Sequence, residues 1–280
     1  FPPARVRSVK GAISRSTMRV RAPNGWSVAA PYREIEDGRF EVTDEERRFD
    51  RPVGWMLVGR QGIVRERVAG SRIAIAGPVG QGVRRQDMLA FLRWTLPALR
   101  DALGPLPSRV LIVSAGDPMW RGGLSGPNSV YLHANRPLIG PDGTSPLLHE
   151  LVHMQMRARA GKGGDWIVEG LAEYYSLEVL RRSRSISRRR YERSHERLAR
   201  KGRSAVSLAV AAADSVVTAR AVGLIRDLAD RIESATEGEA SLDDVVVAMI
   251  RSGDPVTQTS FRAAVVEVAG RDLLPAIAGG

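Results

Sequence analysis

Cysteine is absent from the 280 residues. That excludes disulfides, thiolate metal sites and cysteine nucleophiles, although it does not identify a compartment. No apolar run reaches the roughly 18–20 residues a membrane-spanning helix needs. The nearest, residues 205–217, is short and carries Asp214, so it reads as a buried, Ala-rich helix. Histidine is scarce: His133, His149, His153 and His195 are the whole supply. A phosphate-binding loop is missing too. Gly77-Pro78-Val79-Gly80-Gln81-Gly82 is glycine-rich but lacks the lysine such a loop requires, and reads as a turn. Trp26, Trp55, Trp94, Trp120 and Trp166 are scattered, a distribution that suits core or cleft-rim positions better than a base-stacking platform.

What is present fits a globular protein. Hydrophobic residues make up 43% and charged residues 26% of the chain, so wholesale disorder is not expected. The length suffices for one large domain or two modest ones. The chain begins at Phe1 rather than Met, which fits removal of an export signal or trimming. The expectation drawn from this is a periplasmic or secreted protein, with a cytoplasmic one as the alternative. The net charge of +11 is concentrated: between Arg181 and Arg203 stand eleven Lys or Arg residues against Glu192 and Glu196. Such a stretch can bind nucleic acid, an anionic membrane surface or an acidic partner. It reads equally as a solvated helical face.

Along the chain the texture changes. Residues 1–80 favour short strands, at 18–21, 26–29, 55–58 and 72–76, separated by Gly, Pro and Asp turns. From Arg85 onward helical spacing appears, with Met88, Leu89, Leu92, Leu96 and Leu99 on one face of 87–103. Pro97 inside that run predicts a kink or break. Residues 109–114 and 129–133 read as buried strands. Helices are expected over 145–159, 166–182, 187–200, 205–234, 241–251 and 259–268. The order gives an α+β protein: a β-rich N-terminal domain (1–80), a mixed centre (81–182) and a mostly helical C-terminal part (183–280).

The centre of the sequence is Leu148-His149-Glu150-Leu151-Val152-His153. On a helix, positions i and i+4 share a face, so His149 and His153 can offer imidazole nitrogens to one metal ion. Glu150 follows the first ligand and is placed beside the metal, near any bound water. Leu148, Leu151 and Val152 cover the opposite side. Two histidines on zinc require a third protein ligand, with one position left open. Trp166-Ile167-Val168-Glu169-Gly170-Leu171-Ala172-Glu173-Tyr174-Tyr175 supplies it. Glu169 can ligate the metal. Glu173, one turn on, can reach the far nitrogen of a ligand histidine and fix its tautomer. The Gly161-Lys162-Gly163-Gly164 turn lets the second helix run back along the first.

The HELVH and WIVEGLAEYY segments together resemble the gluzincin metallopeptidases, the thermolysin-like group, and in particular their peptidase MA-like members. The resemblance implies a thermolysin-like zincin domain binding one zinc ion through His149, His153 and Glu169. Glu150 would be the general base and a peptide or protein the substrate. A looser resemblance, to the glycyl aminopeptidase family, rests on the β-rich N-terminal part, Gly122-Gly123-Leu124 before a strand, and the pattern from Ser241 to Leu273.

The looser resemblance assigns the segment around Gly123, Leu124 and Ser125 to a substrate-pairing strand. Ser125 stands where a Glu that grips the substrate's free amine is expected, and a serine cannot neutralise an ammonium group. Endopeptidase and aminopeptidase therefore both stay open. The relatives also use a Tyr or His to stabilise the oxyanion, and Tyr191 and His195, four residues apart, are the candidates. The alternative to a peptidase is a catalytically inactive peptidase-like zinc module acting in binding or assembly.

Overall fold

The computed structural model describes residues 9, 15–42, 51–208, 210 and 212–275. They form two compact units, the first comprising residues 1–67, 71–89 and 107–135, the second residues 68–70, 90–106 and 136–280.

The first unit is built on sheets. Strands β1 (Ser16–Arg19), β2 (Ser27–Ala29), β3 (Arg33–Glu36) and β4 (Arg39–Val42) come first, then β5 (Leu57–Gly59), β6 (Gln61–Val68) and β7 (Ser71–Pro78). Helix α1 (Arg85–Leu103) follows, and after it β8 (Arg109–Ala115), β9 (Gly123–Gly126) and β10 (Ser129–His133). β1, β4 and β3 make a three-stranded antiparallel sheet, and β2 pairs with β5. The main sheet has the order β6-β7-β8-β10-β9. Within it β7, β8 and β10 run parallel and β9 runs antiparallel at the edge. β8 and β10 are buried along nearly their whole length, as expected for central strands with apolar residues on both faces. Tyr131, Leu111 and Val113 pack there with Ala29 and Ala76.

The second unit is helical: α2 (Pro146–Met156), α3 (Asp165–Arg182), α4 (Arg188–Gly202), α5 (Ser215–Ala235), α6 (Leu242–Ser252) and α7 (Gln258–Ala269). α3 packs on α2 and α5, and α4 lies against α5. Glycines allow the closest approaches. A Cβ on Gly170 would come within 2.7 Å of both Ala221 and Ile225, so α3 meets α5 where only hydrogen fits. A Cβ on Gly164, at the start of α3, would fall 1.8 Å from the Val256 carbonyl oxygen.

The architecture is α+β, and two sequence expectations are corrected. The expected helix over 205–234 begins only at Ser215, because Asp214 caps it by accepting from the amides of Val216 and Val217 at 2.8 and 2.9 Å. The described residues between 205 and 213 are not helical. Pro97 does not break α1, which runs unbroken from Arg85 to Leu103.

Candidate metal centre

α2 starts cleanly. Ser145 caps it, its hydroxyl accepting from the Leu148 amide at 3.3 Å, and Pro146 opens the first turn, where a missing amide costs nothing. The helix ends at Arg157 in the left-handed conformation, φ 50°, with its amide on the His153 carbonyl. Leu147, Leu148, Leu151 and Val152 are essentially inaccessible and hold one face in the core. His149, Glu150 and His153 are half-buried.

α3 brings the carboxylates. Its start is set by the 161–164 turn, in which the Gly161 amide donates to the Val256 carbonyl at 2.7 Å and the Gly164 amide to the Gly161 carbonyl at 3.0 Å. From there Glu169 and Glu173 fall on the side of α3 that meets α2. The Nε2 atoms of His149 and His153 lie 3.0 Å apart, and each is 3.4 Å from an oxygen of Glu169. On the far side of the His149 ring, Nδ1 is 2.9 Å from Glu173 Oε2.

These distances allow a test of fit. A tetrahedral zinc site with bonds of about 2.05 Å has donor–donor edges of about 3.3 Å. The two imidazole nitrogens are 3.0 Å apart and each lies 3.4 Å from a different oxygen of Glu169, so the three side chains converge at about that spacing. They are also the group among the described residues whose donors converge in this way. Two imidazoles and one carboxylate suit zinc and leave a fourth position for another ligand. Glu173 Oε2 lies within hydrogen-bond reach of Nδ1 of His149, and a hydrogen held there would leave the Nε2 lone pair facing His153 and Glu169.

Without a cation the carboxylates act on the rings. Burial opposes a charged imidazole, but Glu169 and Glu173 outweigh it and push His149 up to about 10. Burial likewise works against the Glu169 carboxylate, yet the two histidines hold it far below the usual range. Both shifts share one cause, the carboxylates gathered around the imidazole nitrogens, which makes the potential there favourable to positive charge.

The chain is similar in fold to zinc metallopeptidases. It matches the M1 zinc metallopeptidase from Deinococcus radiodurans with a TM-score of 0.61 and 19% identity, over 95% of this chain and 66% of that one. It matches an aminopeptidase N family protein from Idiomarina loihiensis with a TM-score of 0.62 and 15% identity, over 88% of this chain and 51% of that one. Yeast LTA4 hydrolase, solved with bestatin, gives a TM-score of 0.64 and 15% identity, over 90% of this chain and 43% of the enzyme. The chain thus spans between 43% and 66% of the length of these proteins. No protein-family profile matches it, and no curated protein matches it in sequence.

The other candidate residues are carried by other elements. Gly123, Leu124 and Ser125 are on β9, the edge of the main sheet in the first unit, with Ser125 opposite Val130 of β10. Tyr191 and His195 share one face of α4, ring centroids 4.5 Å apart. The Tyr191 hydroxyl donates to Glu178 at 3.0 Å. Glu178 is nine residues beyond Glu169, about 13 Å farther along α3 at 1.5 Å per residue. His195 is 5% exposed, sits beside the rings of Tyr174 and Tyr191, and its Nε2 makes no hydrogen bond. Burial, followed by the charge of Arg226, pushes it down to about 4, so this ring is neutral near pH 7.

Glu178 itself escaped the sequence reading. It is 3% exposed and binds Arg181, Arg182 and Tyr191. Burial opposes its charge, but the two arginines hold it down to about 2. The i, i+3 and i, i+4 spacing to Arg181 and Arg182 was a legible signal. The rest was not. Arg182 also pairs with Asp243 of α6, and Tyr175 donates to that same carboxylate at 2.9 Å. No local pattern links residues 61 or 68 positions apart.

Proposed function

We propose that the protein is a zinc-dependent peptidase of the gluzincin, thermolysin-like type. The observation that supports this most directly is the triangle of His149 Nε2, His153 Nε2 and Glu169 with Glu150 one residue after the first histidine. A purely structural zinc site has no use for that extra carboxylate. The similarity in fold to zinc metallopeptidases is consistent with the reading.

In this reading His149, His153 and Glu169 hold one zinc ion, which when bound supplies Lewis acidity toward water and the scissile carbonyl. Glu150 takes the proton of the attacking water as its oxygen joins the carbonyl carbon. As the C–N bond breaks, Glu150 delivers that proton to the departing nitrogen. Glu173 keeps the His149 ring in one tautomer throughout. The open edge of β9, at Gly123, Leu124 and Ser125, is the proposed strand for pairing with an extended peptide backbone. With a serine at 125, no carboxylate in that strand matches a free amine, so cleavage position is left to experiment. Of the two oxyanion candidates, Tyr191 is already committed to Glu178, whereas His195 keeps an unpartnered ring nitrogen.

The same two features support a second reading, a zinc-binding module of this fold without turnover. Digestion of a mixed peptide library by the zinc-loaded protein, with Glu150→Gln as control, separates them. Cleavage that the substitution abolishes while zinc stays bound supports the peptidase. A normal rate in E150Q refutes the mechanism. Stoichiometric zinc without cleavage favours the module.

A further inference from the structure

The basic segment is not uniform once folded. Arg181 and Arg182 bind Glu178. Arg190 and Arg197 donate to the carbonyls of Gly140 and Pro141, at 2.9 and 2.6 Å, and so hold the loop that leads into α2. These four cations serve the fold. α4 buries Tyr191, Ser194, His195 and Gly202. At 100° per residue, the ridge opposite that face carries Arg189, Arg193, Glu196 and Arg200. The three arginines are exposed, and among the described residues none of them has an ion pair or side-chain hydrogen bond. Arg189 and Arg193, one turn apart with like charge, cost the isolated helix a little stability. Glu196, three residues after Arg193 and four before Arg200, offsets part of that cost without forming an ion pair to either, so the ridge keeps a net positive charge facing water.

The ridge is arginine rather than lysine, and guanidinium groups match phosphate oxygens two at a time. It is straight and convex, about 16 Å from Arg189 to Arg200 at 1.5 Å per residue. A convex line of charge meets a flat surface along its whole length. It carries no aromatic side chain on which bases could stack. Four residues past the end of α4, Val206 is 98% exposed, an apolar side chain of the kind a headgroup layer takes up. We infer that the outer face of α4 docks the protein on an anionic phospholipid surface. No helix among the described residues is long and apolar enough to cross a membrane, so the contact proposed is peripheral. The inference does not depend on the peptidase reading.

Co-sedimentation of the full chain with vesicles tests it, using phosphatidylcholine alone or with phosphatidylserine, over a salt series. A duplex DNA titration at matched salt runs beside it. Binding is expected only to the phosphatidylserine vesicles and should weaken as salt rises. The triple variant R189Q/R193Q/R200Q should bind roughly a hundredfold more weakly, from about a factor of five per cation. Its unfolding midpoint should match the parent's, since those side chains hold nothing in the fold. Vesicle binding unchanged in the triple variant would overturn the proposal. So would tighter binding to the duplex, or no binding to either.

Discussion

In the proposed zinc site, replacing Glu173 by alanine isolates the contribution of a residue outside the ligand set. Its carboxylate sits 2.9 Å from Nδ1 of His149, while the Nε2 of that ring faces His153 and Glu169. Removing it leaves all three ligands present but frees the His149 ring to rotate and to change tautomer. The loss of such an outer-shell partner costs roughly 10–100-fold in metal affinity, or about 1.4–2.7 kcal/mol. Glu173→Gln should fall between parent and alanine, since an amide oxygen still accepts from Nδ1 but carries no charge. Glu169→Ala removes a ligand and should weaken binding further than either. Competition against a chromophoric chelator gives all three affinities, and circular dichroism checks that the helices persist. The reasoning fails if E173A binds zinc as tightly as the parent, or if E169A loses less than E173A.

Three more expectations rest on other parts of the structure. A metal takes neutral imidazole, so the proton that His149 holds up to a pKa of about 10 must leave when zinc binds. Calorimetry at pH 8 in buffers of different ionisation enthalpy should show about one proton released per zinc, and affinity should fall as pH falls; a heat independent of buffer would refute this. His195 ordinarily titrates at 6.5 but is pushed down to about 4 by burial, so the unfolded chain binds its proton first on acidification. Stability should therefore drop by ~3 kcal/mol as pH falls from 6.5 to 4, and urea unfolding of His195→Phe should lack that part of the acid limb. Gly170→Val places carbon where Ala221 and Ile225 stand 2.7 Å away. Separating α3 from α5 should cost about 1–3 kcal/mol in denaturant unfolding, and a neutral result would mean the helices are not in close contact.

Much of the site's local geometry was readable because it is periodic. His149 and His153 share a face for the same reason that Glu169 and Glu173 do: residues four apart on a helix are neighbours, and both pairs lie in segments with an apolar opposite side. The start of α2 was readable from Ser145 and Pro146. The start of α5 was misread because the Ala-rich stretch from Ala205 reads as helical through Asp214, whereas that side chain, competing for the backbone, decides where the helix begins. β3, β4 and β6 were not picked out. β3 and β6 are mostly exposed or half-buried, so hydrophobic alternation is faint there. In β4 the alternation of buried Phe40 and Val42 with Arg39 and Glu41 is clean but only four residues long.

Whatever depends on neighbours along the chain was available from the residues alone: the helices of the second half, the paired histidines, the paired carboxylates and the apolar central strands. Whatever depends on distant segments meeting was decided only by the fold. The edge position of β9, the close approach of Gly164 at the start of α3 to Val256, and the clamp of Arg182 and Tyr175 on Asp243 belong to this group. So does the division of one basic helix into cations that hold a loop and cations that face water. The reason is physical. Helical and strand periods are written into every few residues, but which carboxylate an arginine finds, and which carbonyl a glycine must clear, is set by packing that no short stretch of sequence contains.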